Sequence, residues 1–285
     1  MIWVGGRVVP DDELRISVLD RTFEHGLGLF ETFRTWDGHP TLLPRHLERM
    51  TQSALALGLP LDPAALPNAD AVAALLEADR VKGDALLRIT LSGGLSESGG
   101  STVWMRSGPL PAPPPDGGIA IAAGRLVLAG DDPLTRHKTL NYWPRRLAFE
   151  EARRRGFDEV LARTPDGRFC EGSRTNLFLI EGETLRAPSR AGPILPGVMR
   201  GLVLEQARRL PLSIDVDAEV SWSRLGRAEE VFLTNSVRGI LPVARAGDLG
   251  PHPRLPGFTW SAPGPWTQRL WGEISDWLRQ GGTRP

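Results

Sequence analysis

Cysteine is nearly missing from this chain. Cys170 stands alone in 285 residues, so no internal disulfide can form and a reducing, cytoplasmic setting is expected. Net charge is missing too, with 34 Lys plus Arg balancing 34 Asp plus Glu. No basic face is offered to nucleic acid or to an anionic membrane, and neither is an expected partner. No apolar run nears the roughly 18 residues of a membrane span. The opening "MIWVGGRVVP" reads as a Gly-Gly hairpin between β-branched runs, not as a charged-then-apolar leader. Five scattered histidines, with no CxxC or HExxH pattern, leave no recognisable metal site. Lysine and tyrosine are scarcest of all: Lys82 and Lys138 are the only lysines, and Tyr142 is the one tyrosine beside nine tryptophans and nine phenylalanines.

What is present is a globular composition, 41% hydrophobic, long enough for two domains with cores of their own. The segment "GPLPAPPPDGG" carries five prolines and is glycine-rich at its ends. It disfavours helix and ladder alike and reads as a stiff connector over residues 108–118, dividing an N-terminal domain (1–107) from a C-terminal one (119–285). The first domain holds the hairpin, a strand near Leu29 to Thr35, and a helix from Pro44 to Leu57. A second helix from Ala69 to Asp79 is capped by Asn68. The strand "DALLRITLS" then alternates Leu87, Ile89 and Leu91 with Arg88, Thr90 and Ser92. The second domain begins with strand "IAIAA" and a helix opened by Pro144 and closed by Gly156. Strands "DEVLAR", "RFCEG" and "NLFLI" follow, then a helix at "PGVMRGLVLEQARRL", strand "EVFLTN" and a tail helix "PWTQRLWGEISDWLRQ". The pattern is α+β in two lobes.

The chemistry concentrates around the rare residues. A lysine amine, with a pKa near ~10.4, becomes a useful nucleophile or base when burial or nearby positive charge lowers that value. Arginine cannot replace it, because a guanidinium stays protonated and forms no Schiff base. A chain that has exchanged nearly all lysine for arginine therefore retains Lys138 where the amine itself reacts; the alternative is a surface residue spared by chance, as Lys82 in "RVKGD" is read. Tyr142 lies four residues on and offers a hydroxyl to the same ligand. Glu171, in "CEGSRTNLF" with Asn176, stands at a strand end where a carboxylate can hold a heterocyclic nitrogen protonated. "ILPGVMRG" carries a Pro-Gly turn into a helix and leaves the Val198 and Met199 amides at its positive end, which suits a phosphate. Asn235 and Ser236 in "FLTNS", and Arg45 at a helix start, can add donors to such an anion. Each of these is also compatible with an ordinary structural role.

Together the blocks "DRTFEHGLGLFETFRTWDG", "RHLERM", "HKTLNYWPRRLAFEEARRRGFDEVL", "DGRFCEGSRTNLFLI", "GPILPGVMRGLVLEQA" and "EVFLTNSVRGILPV" resemble, in order and spacing, the class IV family of pyridoxal-phosphate enzymes. That family includes branched-chain and D-amino-acid aminotransferases, (R)-selective amine transaminases and aminodeoxychorismate lyases. The resemblance implies a two-lobed fold-type IV architecture, with a small N-terminal α/β domain and a larger C-terminal mixed-sheet, barrel-like domain. It implies pyridoxal 5'-phosphate as cofactor, with Lys138 forming the Schiff base, Tyr142 on the phenolic oxygen and Glu171, with Asn176 nearby, at the pyridinium nitrogen. Arg45, the Val198 and Met199 amides, Asn235 and Ser236 would hold the phosphate. The implied activity is transamination between an amino donor and a 2-oxo acid in a homodimer, with elimination to 4-aminobenzoate and pyruvate as the lyase alternative.

Two departures from the family pattern bear on substrate. "SGGLSESGG" follows the "LLRITLS" strand where relatives often carry an Arg-Gly pair for the substrate carboxylate, so Arg34 and Arg88 become the replacement anchors. Met199 stands where a Thr or Ser commonly offers a hydroxyl. Thr32 in "ETFR" matches a threonine of the lyases and leans toward that reaction. A non-catalytic nucleotide-binding module is the rival reading, prompted by "HGLGLF" and "GGLSESGGS". The first lacks the strand-turn-helix setting of a dinucleotide fingerprint and the second lacks a GK[ST] ending.

Overall fold

The computed structural model of the chain describes residues 1–249 and 255–279. The chain divides into two compact units, and the division is not a single cut at the proline-rich connector. The first unit takes Met1–Pro111 together with His137–Asn141 and the residues from Trp277; the second takes Ala112–Arg136 and Tyr142–Asp276. Residues 250–254 and 280–285, which fall in the expected second domain, lie outside the described residues.

In the first unit the Gly-Gly turn joins β1 (Ile2–Val4) to β2 (Arg7–Val9), as the opening residues predict. A short helix α1 (Arg21–His25), capped by the Asp20 carboxylate on the Thr22 amide, leads into β3 (Gly28–Trp36) and its hairpin partner β4 (His39–Pro40). Helix α2 (Leu43–Ala56) has Pro44 in its first turn, where a missing N–H costs nothing. Helix α3 (Ala69–Ala78) is capped by the Asn68 side chain on the Ala71 amide. Strands β5 (Leu86–Ser92) and β6 (Val103–Gly108) complete a six-stranded sheet in the order β2-β1-β6-β5-β3-β4. The strand period of two sorts its faces. Leu29 and Phe33 of β3, Leu87, Ile89 and Leu91 of β5, and Val103 and Met105 of β6 pack with Met50 of α2 and Val72 and Leu75 of α3. The other face carries Thr32, Arg88 and Arg106, which oppose one another in one row across β3, β5 and β6.

Segment 137–141 runs antiparallel along the start of β3: the Phe30 amide donates to the Lys138 carbonyl (2.9 Å) and the Leu140 amide to the Gly28 carbonyl (3.0 Å). Gly28 is required there. Its φ is +141°, and a Cβ would stand 2.6 Å from both Leu140 Cδ1 and the Leu91 carbonyl. A glycine of β3 thus sets the place of the lysine-bearing segment.

The second unit is built on β7 (Ile119–Val127), α4 (Trp143–Arg154), β8 (Glu159–Arg163), β9 (Phe169–Gly172), β10 (Asn176–Glu181), β11 (Thr184–Arg186), α5 (Val198–Ala207), β12 (Ser213–Asp215), α6 (Trp222–Arg227), β13 (Glu230–Asn235), β14 (Gly239–Asp248), β15 (Phe258–Thr259) and α7 (Pro265–Arg279), the last belonging to this unit as far as Asp276. Its sheet runs β12-β11-β10-β13-β14-β7-β8-β9, and a further pairing of β9 with β10 closes the stretch from β10 to β9 into a barrel. Ile121, Leu161, Leu177, Leu179, Val231, Leu233 and Val243 fill the interior with Trp222 and Leu225 of α6. The residues that close the barrel are Glu171 and Asn176, paired across β9 and β10. No described helix is long and apolar enough to cross a membrane.

Candidate active site

In the first unit, the Lys138 Nζ lies 4.2 Å from the centroid of the Phe30 ring, and the Arg88 guanidinium carbon lies 3.9 Å from the same centroid. One buried aromatic therefore holds both the rare amine and a candidate carboxylate anchor. Arg88 also lines a cavity of about 240 Å³ with Thr22, Thr90, Ser92, Trp104, Arg106 and others. Arg34 is engaged elsewhere: its Nη2 donates to Asp84 Oδ2 at 2.8 Å, its Nε to the Thr35 carbonyl, and its guanidinium lies over Trp36. Thr32 is half-buried directly beside Arg88 in the row across the sheet.

Arg45 occupies the first turn of α2, which a buried polar cluster ties to β3. Glu31 accepts from Arg49 Nε at 2.7 Å and Nη2 at 2.5 Å, and its Oε2 lies 2.7 Å from His46 Nδ1. Burial opposes the Glu31 charge, but Arg49 and His46 together hold its carboxyl down at about 2. Burial lowers the His46 pKa, and Arg49 and Lys138 add to that. A neutral imidazole therefore donates from Nδ1 to Glu31. The His46 ring also stacks on Phe33 at 5.0 Å.

In the second unit, Glu171 is 2% exposed. Its Oε1 accepts from Arg145 Nη2 at 2.6 Å; its Oε2 accepts from Asn176 Nδ2 at 3.2 Å and from the Leu195 amide at 3.0 Å. These three donors suit an ionised carboxylate. Tyr142, the residue preceding α4, donates its hydroxyl to the Ser173 carbonyl at 3.0 Å. Burial, with the charges of Glu171 and Glu159 contributing, pushes its phenol up to about 12, so it remains a donor at neutral pH. Ser173 is in turn fixed by Glu159, which accepts from its amide and hydroxyl.

Helix α5 starts at Gly197, which supplies no side-chain cap, so Val198 and Met199 open the helix with its positive end uncapped from within. Gly197 also has to be glycine: a Cβ would stand 1.9 Å from Asn176 Oδ1. Asn176 thus touches the start of α5 and, through its amide nitrogen, Glu171. Its β13 partner is Thr234, which places Asn235 and Ser236 just past the same row. Asn235 uses its Oδ1 to accept from the Val237 and Arg238 amides, shaping the turn that carries Ser236.

The second unit brings Tyr142, Glu171, Asn176 and the start of α5 into one connected set. The first places Lys138 with Phe30 and Arg88, and Lys138 and Tyr142 are joined by only three intervening residues. Two further residues are not singled out by the sequence. Arg145 reads there as one of many arginines on a helix, although its spacing of three from Tyr142 at a helix start is an available signal. Arg106 becomes visible only through the β5 to β6 register. Cys170, beside Glu171, is inert packing: burial first, then the Glu171 charge, pushes its thiol up to about 12.

The residues suit pyridoxal phosphate in chemical kind: an amine, a carboxylate that accepts from three donors, a persistent phenol donor, and a helix start that Gly197 leaves without a side-chain cap. The chain is similar to known proteins over most of its length. The amino-transferase class IV family matches residues 28–246. The branched-chain-amino-acid aminotransferase of Salmonella typhimurium is 24% identical over 258 residues, covering 85% of this chain and 83% of that protein. The crystal structure of 4-amino-4-deoxychorismate lyase from Pseudomonas aeruginosa superposes with a TM-score of 0.80 at 31% identity, covering 97% of this chain and 98% of that one. A hypothetical aminotransferase from Mycobacterium tuberculosis, bound to alpha-ketoglutarate and PMP, superposes with a TM-score of 0.83 at 25% identity over 99% of this chain and 100% of that one. With its barrel closed at Glu171 and Asn176, the chain belongs to the class IV aminotransferase family and has the fold-type IV architecture of its pyridoxal-phosphate enzymes.

Proposed function

We propose that this enzyme binds pyridoxal 5'-phosphate and transfers an amino group between an amino acid and a 2-oxo acid. The observation that carries the reading is the buried Glu171 carboxylate, encircled by donors and linked through Arg145 and Ser173 to Tyr142. When bound, the cofactor supplies the electron sink for the bond-breaking at the substrate Cα. The protein supplies the rest. Lys138 would hold the cofactor aldehyde at rest and would move the substrate Cα proton at its Nζ. Tyr142 would serve the phenolic oxygen, and Glu171 would keep a proton on the ring nitrogen, with Asn176 bracing it. Arg45, the Val198 and Met199 amides, Asn235 and Ser236 would hold the phosphate. Met199 contributes its amide alone.

Arg88 anchors the substrate carboxylate in this reading, since it shares the Phe30 ring with Lys138, whereas Arg34 is committed to Asp84. Thr32 lies beside that anchor. The second reading, elimination to 4-aminobenzoate and pyruvate, is favoured by Thr32 and by the 31% identity to the Pseudomonas lyase. The working form is a homodimer in the cytoplasm. The apolar Val18, Leu19 and Phe23, 80%, 65% and 63% exposed, supply surface for a second copy, and the one free, buried thiol suits a reducing compartment.

The deciding experiment offers the purified enzyme L- and D-amino acids, (R)-amines and aminodeoxychorismate, and follows 2-oxo acid formation against release of pyruvate with aminobenzoate. Amino-group transfer supports the first reading. Pyruvate and aminobenzoate without transfer replace it with the second, and no turnover of any kind removes both.

A further inference from the structure

Glu171 is to govern the proton on a ring nitrogen, yet it already has a cation fastened to it. Arg145 Nη2 lies 2.6 Å from Glu171 Oε1, with the two side chains 14% and 2% exposed. The same guanidinium extends Nη1 to the Gly172 and Ser173 carbonyls, 3.3 Å each. The Ser173 carbonyl is also the one that receives the Tyr142 hydroxyl. Arg145 therefore touches the strand end that carries Glu171, the loop behind it and the acceptor shared with the phenol. Burial works against its charge, but the charge and hydrogen bond of Glu171, with Tyr142 and Cys170 adding, outweigh it, and the guanidinium is held protonated more firmly than usual. A fork pinned at three acceptors cannot swing away without leaving a buried carboxylate and a carbonyl short of a donor.

We propose that Arg145 is a positioning residue that acts through Glu171: it fixes the carboxylate and shares its negative charge, so that the ring-nitrogen proton is held less tightly than by an unshared carboxylate. This inference rests on the pyridoxal-phosphate reading above. Two cations facing one anion compete for it. The protein thereby tunes the sink to an intermediate strength, which suits an enzyme that must return the proton instead of stabilising the carbanion indefinitely.

The groups described beside Glu171 on neighbouring elements do not duplicate this role. Tyr142, also from the start of α4, remains neutral. Cys170 on β9 is a protonated thiol. Arg200 of α5 feels the Glu171 charge, but its Nη2 is bound to the Pro188 carbonyl. Glu159 of β8 is occupied by the Ser173 to Thr175 loop. Asn176 of β10 is uncharged.

The test follows the ring nitrogen itself. Wild type, R145K and R145Q are loaded with pyridoxal phosphate labelled with ¹⁵N in the ring, and its resonance is recorded from about pH 6 to about pH 10, spanning the range in which neutral and charged heterocycles interconvert. Removing a positive charge fixed to the carboxylate should raise the midpoint for ring deprotonation by about one pH unit or more in R145Q. R145K, which keeps a charge but loses the fork, should fall between R145Q and wild type. A purely packing role would lower the thermal stability of both variants and leave the midpoints together. Identical behaviour of the ring in all three proteins, including a ring protonated throughout, overturns the inference. Should R145Q not fold, R145K alone decides, and a midpoint equal to that of wild type rejects the proposal. Wild type that takes up no cofactor overturns this inference and the proposed function together; wild type that loads normally but shows no shift overturns this inference alone.

Discussion

Glu31→Gln removes the acceptor around which the start of α2 is organised. The carboxylate takes two hydrogen bonds from Arg49 and one from His46 while being 1% exposed as a residue. Glutamine keeps the shape but cannot accept from all three donors, so a buried guanidinium loses its counter-charge. Breaking a buried pair from one side costs about 3–5 kcal/mol. The pH dependence gives an independent size. The folded carboxyl is held at about 2 against an ordinary value of 4.5, a difference worth roughly 3 kcal/mol. Because the folded value is depressed, that stabilisation is complete above about pH 4.5 and disappears as pH falls through about 2. Hydrogen exchange of the α2 and β3 amides reads the local opening free energy of this unit without assuming that the two units unfold together. In E31Q the opening free energy of α2 should fall by about 3 kcal/mol at neutral pH, and its loss between about pH 4.5 and pH 2 should be flatter than in wild type. A change under about 1 kcal/mol, the worth of a solvent-exposed pair, would refute the reasoning. Since Arg45 stands one residue before His46, the same substitution should weaken phosphate retention.

Three further outcomes follow from the same contacts. Gly197→Ala forces a Cβ to within 1.9 Å of Asn176 Oδ1; it should cost about 1–3 kcal/mol in chemical denaturation and loosen cofactor binding, and an unchanged midpoint would show that Asn176 moves aside freely. Arg88→Leu should raise KM for carboxylate-bearing substrates about 10- to 100-fold, the worth of a charged hydrogen bond, while Arg34→Leu changes KM by less than about twofold; the reverse ranking would make Arg34 the anchor. Glu171→Gln should retain the bound cofactor colour yet slow Cα proton exchange into D2O on the order of 10²-fold, and exchange at the wild-type rate would remove Glu171 from the ring nitrogen.

Local rules make much of the fold legible in the sequence. Pro44 in the first turn, Asn68 as a cap and the Gly-Gly hairpin each act over a few residues, and each element lies where its signal places it. What is not legible depends on partners distant in the chain. Segment 137–141 joins the first unit because Gly28 leaves room for Leu140, and no feature near Lys138 announces that. The pairing of Glu171 with Asn176 spans a short turn, but its consequence, closure of a barrel, depends on the register of the other strands. In the sequence Arg34 is as available as Arg88, and only the fold brings Asp84, fifty residues away, to its guanidinium. Arg145 is hidden by abundance: in a chain that has turned nearly all lysine into arginine, one more arginine carries no signal, whereas the rare amine at position 138 does.

The most direct test of the account uses that rarity. Protein saturated with pyridoxal phosphate is reduced with borohydride, digested and mapped by mass spectrometry; with only Lys82 and Lys138 in the chain, the side-chain attachment point has two possible answers. The account predicts a pyridoxyl adduct on the Lys138 peptide and none in K138A. An adduct on Lys82, or no adduct in saturated protein, would contradict it.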